Sequence, residues 1–169
     1  MRSALLTLLV LAGCRGDAPS RASGDEPAQA SRAAGVPFDI EGRLSFVRGE
    51  RVLKTIDIEI ADTDSTRERG LMERSQIPAE TGMLFIFETA APQSFYMAST
   101  PKSLDIQFYG PDSTLLNVAE DTTPFSFDTV PSSGPAQFVV EVPAGYSRRI
   151  GLVPGDRITW SAGSARAAR

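Results

Sequence analysis

The chain has 169 residues, 41% hydrophobic and 22% charged, and its 17 Lys+Arg against 21 Asp+Glu leave a formal charge of -4. That is the size and balance of about one ordinary globular domain, and the acidic excess lacks the cationic surface that nucleic acid requires, so no nucleic-acid partner is expected. The chain has no histidine, which excludes Ser-His-Asp and Cys-His catalysis and the usual His-bearing zinc sites.

Met1 and Arg2 give a positive start, and Ala4 to Ala12 form an apolar run interrupted only by Thr7. This has the character of a signal-peptide core and is too short for a transmembrane helix, which needs roughly 20 apolar residues. The run ends in Leu11-Ala12-Gly13-Cys14, which looks like a bacterial lipobox. Residues 1–13 are therefore expected to be a lipoprotein signal peptide, with Cys14 carrying the lipid. More than one acyl chain on that sulfur would suffice for stable anchoring. Cys14 is the only cysteine, so the folded part must hold together without a disulfide. Arg15 stands where an inner-membrane retention aspartate is found in Gram-negative bacteria, so a periplasm-facing protein of the cell envelope, at the outer membrane, is expected. Residues 14–36 have no aromatic or large aliphatic residue before Val36. They read as a flexible tether, holding the domain roughly 25 Å from the lipid.

A single β-rich domain is predicted over 37–161. Ile40, Leu44 and Phe46 suggest a first strand, Gly49-Glu50 a hairpin turn, and Ile56, Ile58 and Ile60 around Asp57 and Glu59 a half-buried second strand. Ser65-Thr66-Arg67-Glu68 has the spacing of a capping box opening a short helix limited by Gly70. Met83 to Phe87, Phe95 to Met97, Leu104 to Phe108, Leu115 to Val118 and Phe138 to Val142 read as further strands, and Ala144 to Arg149 as a helical turn. The stretch from Glu120 to Pro135 reads as a long loop around Phe125 and Phe127, and 162–169 as a disordered tail. About eight or nine strands with one or two short helices make a mainly β (α+β) fold, barrel-like or sandwich-like.

Four stretches in order resemble domain-of-unknown-function family 192, a bacterial and archaeal group. They are Thr66-Arg67-Glu68-Arg69-Gly70-Leu71-Met72, then Gly82-Met83-Leu84-Phe85-Ile86-Phe87, then Phe95-Tyr96-Met97 with Thr100-Pro101 and Leu104-Asp105-Ile106, and finally Glu141-Val142-Pro143-Ala144-Gly145 with Gly155-Asp156. The resemblance implies a compact, mostly β domain, secreted or lipid-anchored in many members, with no established reaction. Tyr96 stands where the family often has Trp, and Ala98-Ser99 replaces its usual Lys-Asn.

Arg67, Arg69, Asp105 and Glu141 are the charged residues of interest in these stretches. Both acids have strongly apolar neighbours, so the simplest expectation is an ion pair, Arg69 with Asp105 for example, locking helix to sheet. With Tyr96, the residues Arg67, Arg69 and Asp105 are the candidate ligand-binding set. Two alternatives carry chemistry. Asp105 and Glu141 as an acid/base pair would make an envelope hydrolase, since two carboxylates flank the bond in glycoside hydrolysis. Met72, Met83 and Met97 supply thioethers suited to Cu(I), although core packing accounts for methionines beside Leu and Phe. The leading expectation is a non-catalytic domain with no cofactor, tethered to the membrane by its lipid and binding a small molecule, a glycan or an envelope protein.

Overall fold

The computed structural model describes residues 36–163. The signal peptide, Cys14, nearly all of the tether and residues 164–169 lie outside the described residues. Seven strands and two short helices follow in the order β1 (Gly42–Arg48), β2 (Arg51–Ala61), α1 (Asp64–Arg69), β3 (Thr81–Phe95), β4 (Leu104–Tyr109), β5 (Leu115–Ala119), β6 (Val130–Pro143), α2 (Tyr146–Ile150) and β7 (Arg157–Ala162). The strands form one sheet, ordered β5-β4-β6-β3-β2-β1-β7 and curled into a half-barrel. Only β2 and β3 run parallel, as a crossover through α1 allows.

The sheet's edges meet at one end. Thr114 bridges Arg157, Leu115 N–H donates to the Asp156 carbonyl at 2.8 Å, and Ile158 N–H to that of Ser113 at 3.1 Å. Arg48 fixes the junction by donating to both Asp156 carboxylate oxygens at 2.7 Å.

Period-two alternation sorts the side chains onto two faces. Inside the curl pack Leu44, Phe46, Ile56, Ile58, Leu84, Tyr109, Val140, Val142 and Ile158, closed by Tyr146 of α2. On the outer face of β3, β6 and β4 pack Met83, Phe85, Leu104, Ile106, Phe108 and Val139, covered by Leu71 and Met97 from the connections. A fully buried side chain of this size contributes about 1.5–3 kcal/mol, so the sheet is held from both sides.

The structure corrects several boundaries. Among the described residues there are seven strands, fewer than predicted, because Met83 to Phe87 and Phe95 belong to one long β3, broken by register shifts between Ile86 and Ala91 and between Pro92 and Ser94. Much of the expected Glu120–Pro135 loop is the start of β6, where Val130, Pro131 and Pro135 pair with β3. The cap of α1 is Thr63: its side chain accepts from Thr66 N–H, and the Thr66 side chain accepts from Thr63 N–H. The box therefore lies two residues earlier than predicted. Strand β7 runs to Ala162, the first residue of the expected tail.

Candidate functional site

Helix α1 sits on the outer face of the sheet, held there by Arg67. Its Nη1 donates to the carbonyls of Asp62, at 2.6 Å, and of Ile86 in β3, at 2.8 Å, while Nη2 pairs with Asp64. Its guanidinium also lies 5.4 Å from the centre of the Phe87 ring, within cation–π range. An arginine does join helix to sheet, but through backbone carbonyls rather than through Asp105 or Glu141.

The helix stops at Gly70, at φ 49°. A β-carbon there would sit 3.2 Å from the Phe85 ring and 3.7 Å from Glu141 Oε2, so both the backbone angle and the close approach call for glycine. Beneath this turn lies a pocket of ≈ 250 Å³. Arg67 through Met72 line it from the α1 side, Phe85, Phe87, Gln93, Ser94 and Phe95 from β3, exposed Tyr96 and buried Thr100 from the connection after β3, and buried Glu141 from β6. Every lining residue except Gln93 and Ser94 comes from the four stretches picked out in the sequence, drawn together from all four. A second hollow of ≈ 340 Å³, bounded by Ser75, Gln76, Ile77, Lys102, Ser103 and Pro143, takes only Pro143 from them.

Glu141 sits in the interior strand β6, opposite Met83 of β3 and Ile106 of β4. It is 5% exposed, and its Oε2 is buried with no hydrogen-bond partner among the described residues. Burial pushes its pKa up to about 8, against the opposing pull of the Leu71 backbone N–H and the Arg74 guanidinium. The carboxyl therefore holds its proton at neutral pH. Arg74 is itself buried, in a two-pronged pair with Glu59 (Nη1–Oε2 and Nη2–Oε1, both 2.7 Å), and stacks 4.3 Å from the Phe38 ring centre.

Asp105 is placed quite differently. It lies opposite Val142, one residue out of step with the Ile106–Glu141 pair, so its side chain points to the inner face. There it accepts three backbone hydrogen bonds: Asp121 N–H at 3.1 Å and Gly145 N–H at 3.0 Å on Oδ1, and Ser147 N–H at 2.8 Å on Oδ2. Gly145 at φ 75° aims its N–H into this cradle. The polar chain continues inside the sheet, with Gln107 donating to Ser147 Oγ at 2.9 Å and Tyr109 donating to Gln107 Oε1 at 2.7 Å. Asp105 is the anchor of α2.

This geometry overturns two expectations. The Arg69–Asp105 ion pair does not form, because backbone donors already occupy the aspartate while Arg69 is exposed above the pocket with no side-chain partner among the described residues. Asp105 and Glu141 face opposite sides of one sheet, so they cannot flank a single bond as an acid/base pair. Nor do the methionines share the pocket. Met83 and Met97 are packed in the outer core, leaving Met72 alone at the lining. Of the candidate residues, Arg67, Arg69, Tyr96, Met72 and Glu141 come together, and Asp105 does not. Of the aromatic residues, Phe108, Tyr109 and Tyr146 are core, whereas Phe125 and Phe127 are exposed on a loop tied to Thr100 and Met97. Phe85, Phe87 and Gln93 were not anticipated as lining residues. Their position on β3 beside α1 follows from the crossover, which no local pattern announces.

The half-barrel with a helix-lined pocket on its outer face defines the class of domain. The profile of family DUF192, described as "Uncharacterized ACR", matches residues 45–160, and the chain belongs to that family. No curated protein shows significant similarity to it. Among solved structures it resembles a Sinorhizobium meliloti 1021 protein named as a presumed transcription regulator, with 31% identity and a TM-score of 0.69 over 74% of this chain and 98% of that one. It also resembles a protein of unknown function from Novosphingobium aromaticivorans DSM 12444, with 28% identity and a TM-score of 0.69 over 81% of this chain and all of that one.

Proposed function

We propose that this protein is a non-catalytic small-molecule-binding domain, tethered by lipid on Cys14 to the bacterial cell envelope and facing the periplasm, with its site in the α1–β3 pocket. One observation carries the binding reading: four separate stretches of chain converge on a single pocket lined by a buried carboxyl with an unpartnered oxygen. A buried polar group without a partner is costly, and a hollow combining apolar walls with a few polar groups is the usual form of a small-molecule site. The tether reading rests on the charged start, the apolar run and Leu11-Ala12-Gly13-Cys14.

Nucleic-acid regulation, suggested by the name of the Sinorhizobium protein, gains no support from the charges. The formal charge of -4 gives no cationic excess to meet phosphates. The binding reading is tested by native mass spectrometry of protein purified from its own envelope. A small molecule should accompany the parent chain and be absent from Met72→Trp, whose indole fills the pocket; equal ligand-free masses for both would refute it. Palmitate labelling tests the anchor: label should follow Cys14, and Cys14→Ala should leave the membrane fraction.

A further inference from the structure

The pocket's polar groups also narrow the chemistry of its ligand. This step rests on the pocket being a binding site. The charged and titratable groups around Glu141 are Arg67, Glu68 and Arg69 from α1, Arg74 from the following connection, Glu59 from β2 and Tyr96 from the connection after β3. Arg74 is neutralised by Glu59, and the partner of Arg67, Asp64, is fully solvent-exposed, so it screens little. The lining thus sets two arginines against Glu68 and a Glu141 whose burial pushes its pKa up to about 8. That balance disfavours a cationic ligand and favours an anion.

The shape adds a second restriction. An engineered cavity of roughly 150 Å³ takes up benzene, so ≈ 250 Å³ suits one substituted ring rather than a chain of sugars. Phe85, Phe87, Phe95 and Tyr96 give that ring its walls. A β-carbon on Gly70, the residue after Arg69, would lie 3.7 Å from Glu141 Oε2, so the cation and the unpartnered oxygen line one pocket, joined by a single turn of chain.

We propose that the pocket binds a compact, single-ring monocarboxylate, its carboxylate accepting a hydrogen bond from Glu141 Oε2 and facing Arg69, its ring against the phenylalanine walls. The neutral acid and the carboxylate share one proton in a charge-assisted hydrogen bond, which satisfies the orphaned oxygen, and no covalent bond changes.

The test titrates the full chain, labelled with ¹⁵N, at pH 6.5 with three probes of matched shape: benzoate, benzamide and benzylamine. Benzoate should shift the amides of Gly70, Leu71 and Glu141 saturably and bind at least tenfold tighter than the other two. Its affinity should fall roughly tenfold per pH unit above about 8, as the linked proton is lost. Glu141→Gln, which still donates a hydrogen bond, should keep benzoate binding within a few-fold and abolish that pH dependence, while Arg69→Ala should weaken it about tenfold. Benzylamine or benzamide matching benzoate at these amides would overturn the monocarboxylate and leave the pocket standing as a site. Shifts absent from the pocket with all three probes would overturn the binding reading as well. Benzoate affinity that stays constant across pH 8 in the parent chain would remove Glu141 from the contact.

Discussion

Asp105 and Glu141 are carboxylates in adjacent strands, 0% and 5% exposed, and their surroundings could hardly differ more. On the inner face Asp105 is fully engaged by three backbone N–H groups reaching it from the β5–β6 connection and from the start of α2. On the outer face Glu141 keeps an oxygen with no partner, beside an open hollow. A satisfied buried polar group specifies a fold, whereas an unsatisfied one destabilises it. The two acids thus mark one side of the sheet that is closed by its own backbone and one that opens onto the pocket.

The largest expected effect strikes the closed side. Asp105→Ala leaves three backbone donors without an acceptor and should cost about 3–5 kcal/mol, read as a lower urea midpoint, with Asp105→Asn milder. A loss below about 1 kcal/mol would erase the contrast.

Glu141 should respond with the opposite sign. Burial pushes its pKa up to about 8, above the ordinary value of 4.5, so between those values the folded state holds a proton that the unfolded state has released. Stability from this group is therefore highest at low pH and declines as pH rises towards 8. Glu141→Gln should remove that decline and gain about 2–3 kcal/mol on the parent chain between pH 5 and pH 7, measured as paired denaturation curves. Parallel curves would show that the carboxyl is already ionised.

Arg74→Leu sharpens the comparison, because it breaks the pair with Glu59 and also removes a cation that holds the Glu141 pKa down. It should cost about 2 kcal/mol and move the Glu141 titration, followed by carboxyl ¹³C NMR, above about 8. At the sheet junction Arg48 lowers the pKa of Asp156. That contribution is complete above the ordinary value of 3.8 and disappears as pH falls through the lowered native one. Asp156→Asn should lose about 1–2 kcal/mol near neutral pH and flatten the acid limb of unfolding. Smallest of all, Phe127→Ser, at a side chain 81% exposed, should stay within about 0.5 kcal/mol.

How much of this could be read in the chain follows from the range of each interaction. Ile56, Ile58 and Ile60 announce β2 because one face of it is buried and Asp57 and Glu59 mark the other. The middle of β3 stayed hidden because Ala90-Ala91-Pro92 resembles a break, and the pairing that rescues it comes from Ala136 and Pro135, over forty positions away. Val130 to Pro135 looked like loop for the same reason, being rich in Pro, Ser and Gly. Glu141 could be recognised as an acid among apolar neighbours, but the strand register that puts it opposite Ile106, on the other side of the sheet from Asp105, is a long-range fact. The three donors to Asp105 are backbone groups, which leave no mark in residue identity. The motif stretches themselves were visible, while their meeting at one hollow was not.

Phe38 is the ring that stacks on Arg74, and in the covalent order it lies between the segment leading from Cys14 and the first strand. From just ahead of β1, Phe38 thus covers the guanidinium that lowers the Glu141 pKa. Without that ring water would screen Arg74, and a screened guanidinium opposes the proton on Glu141 less.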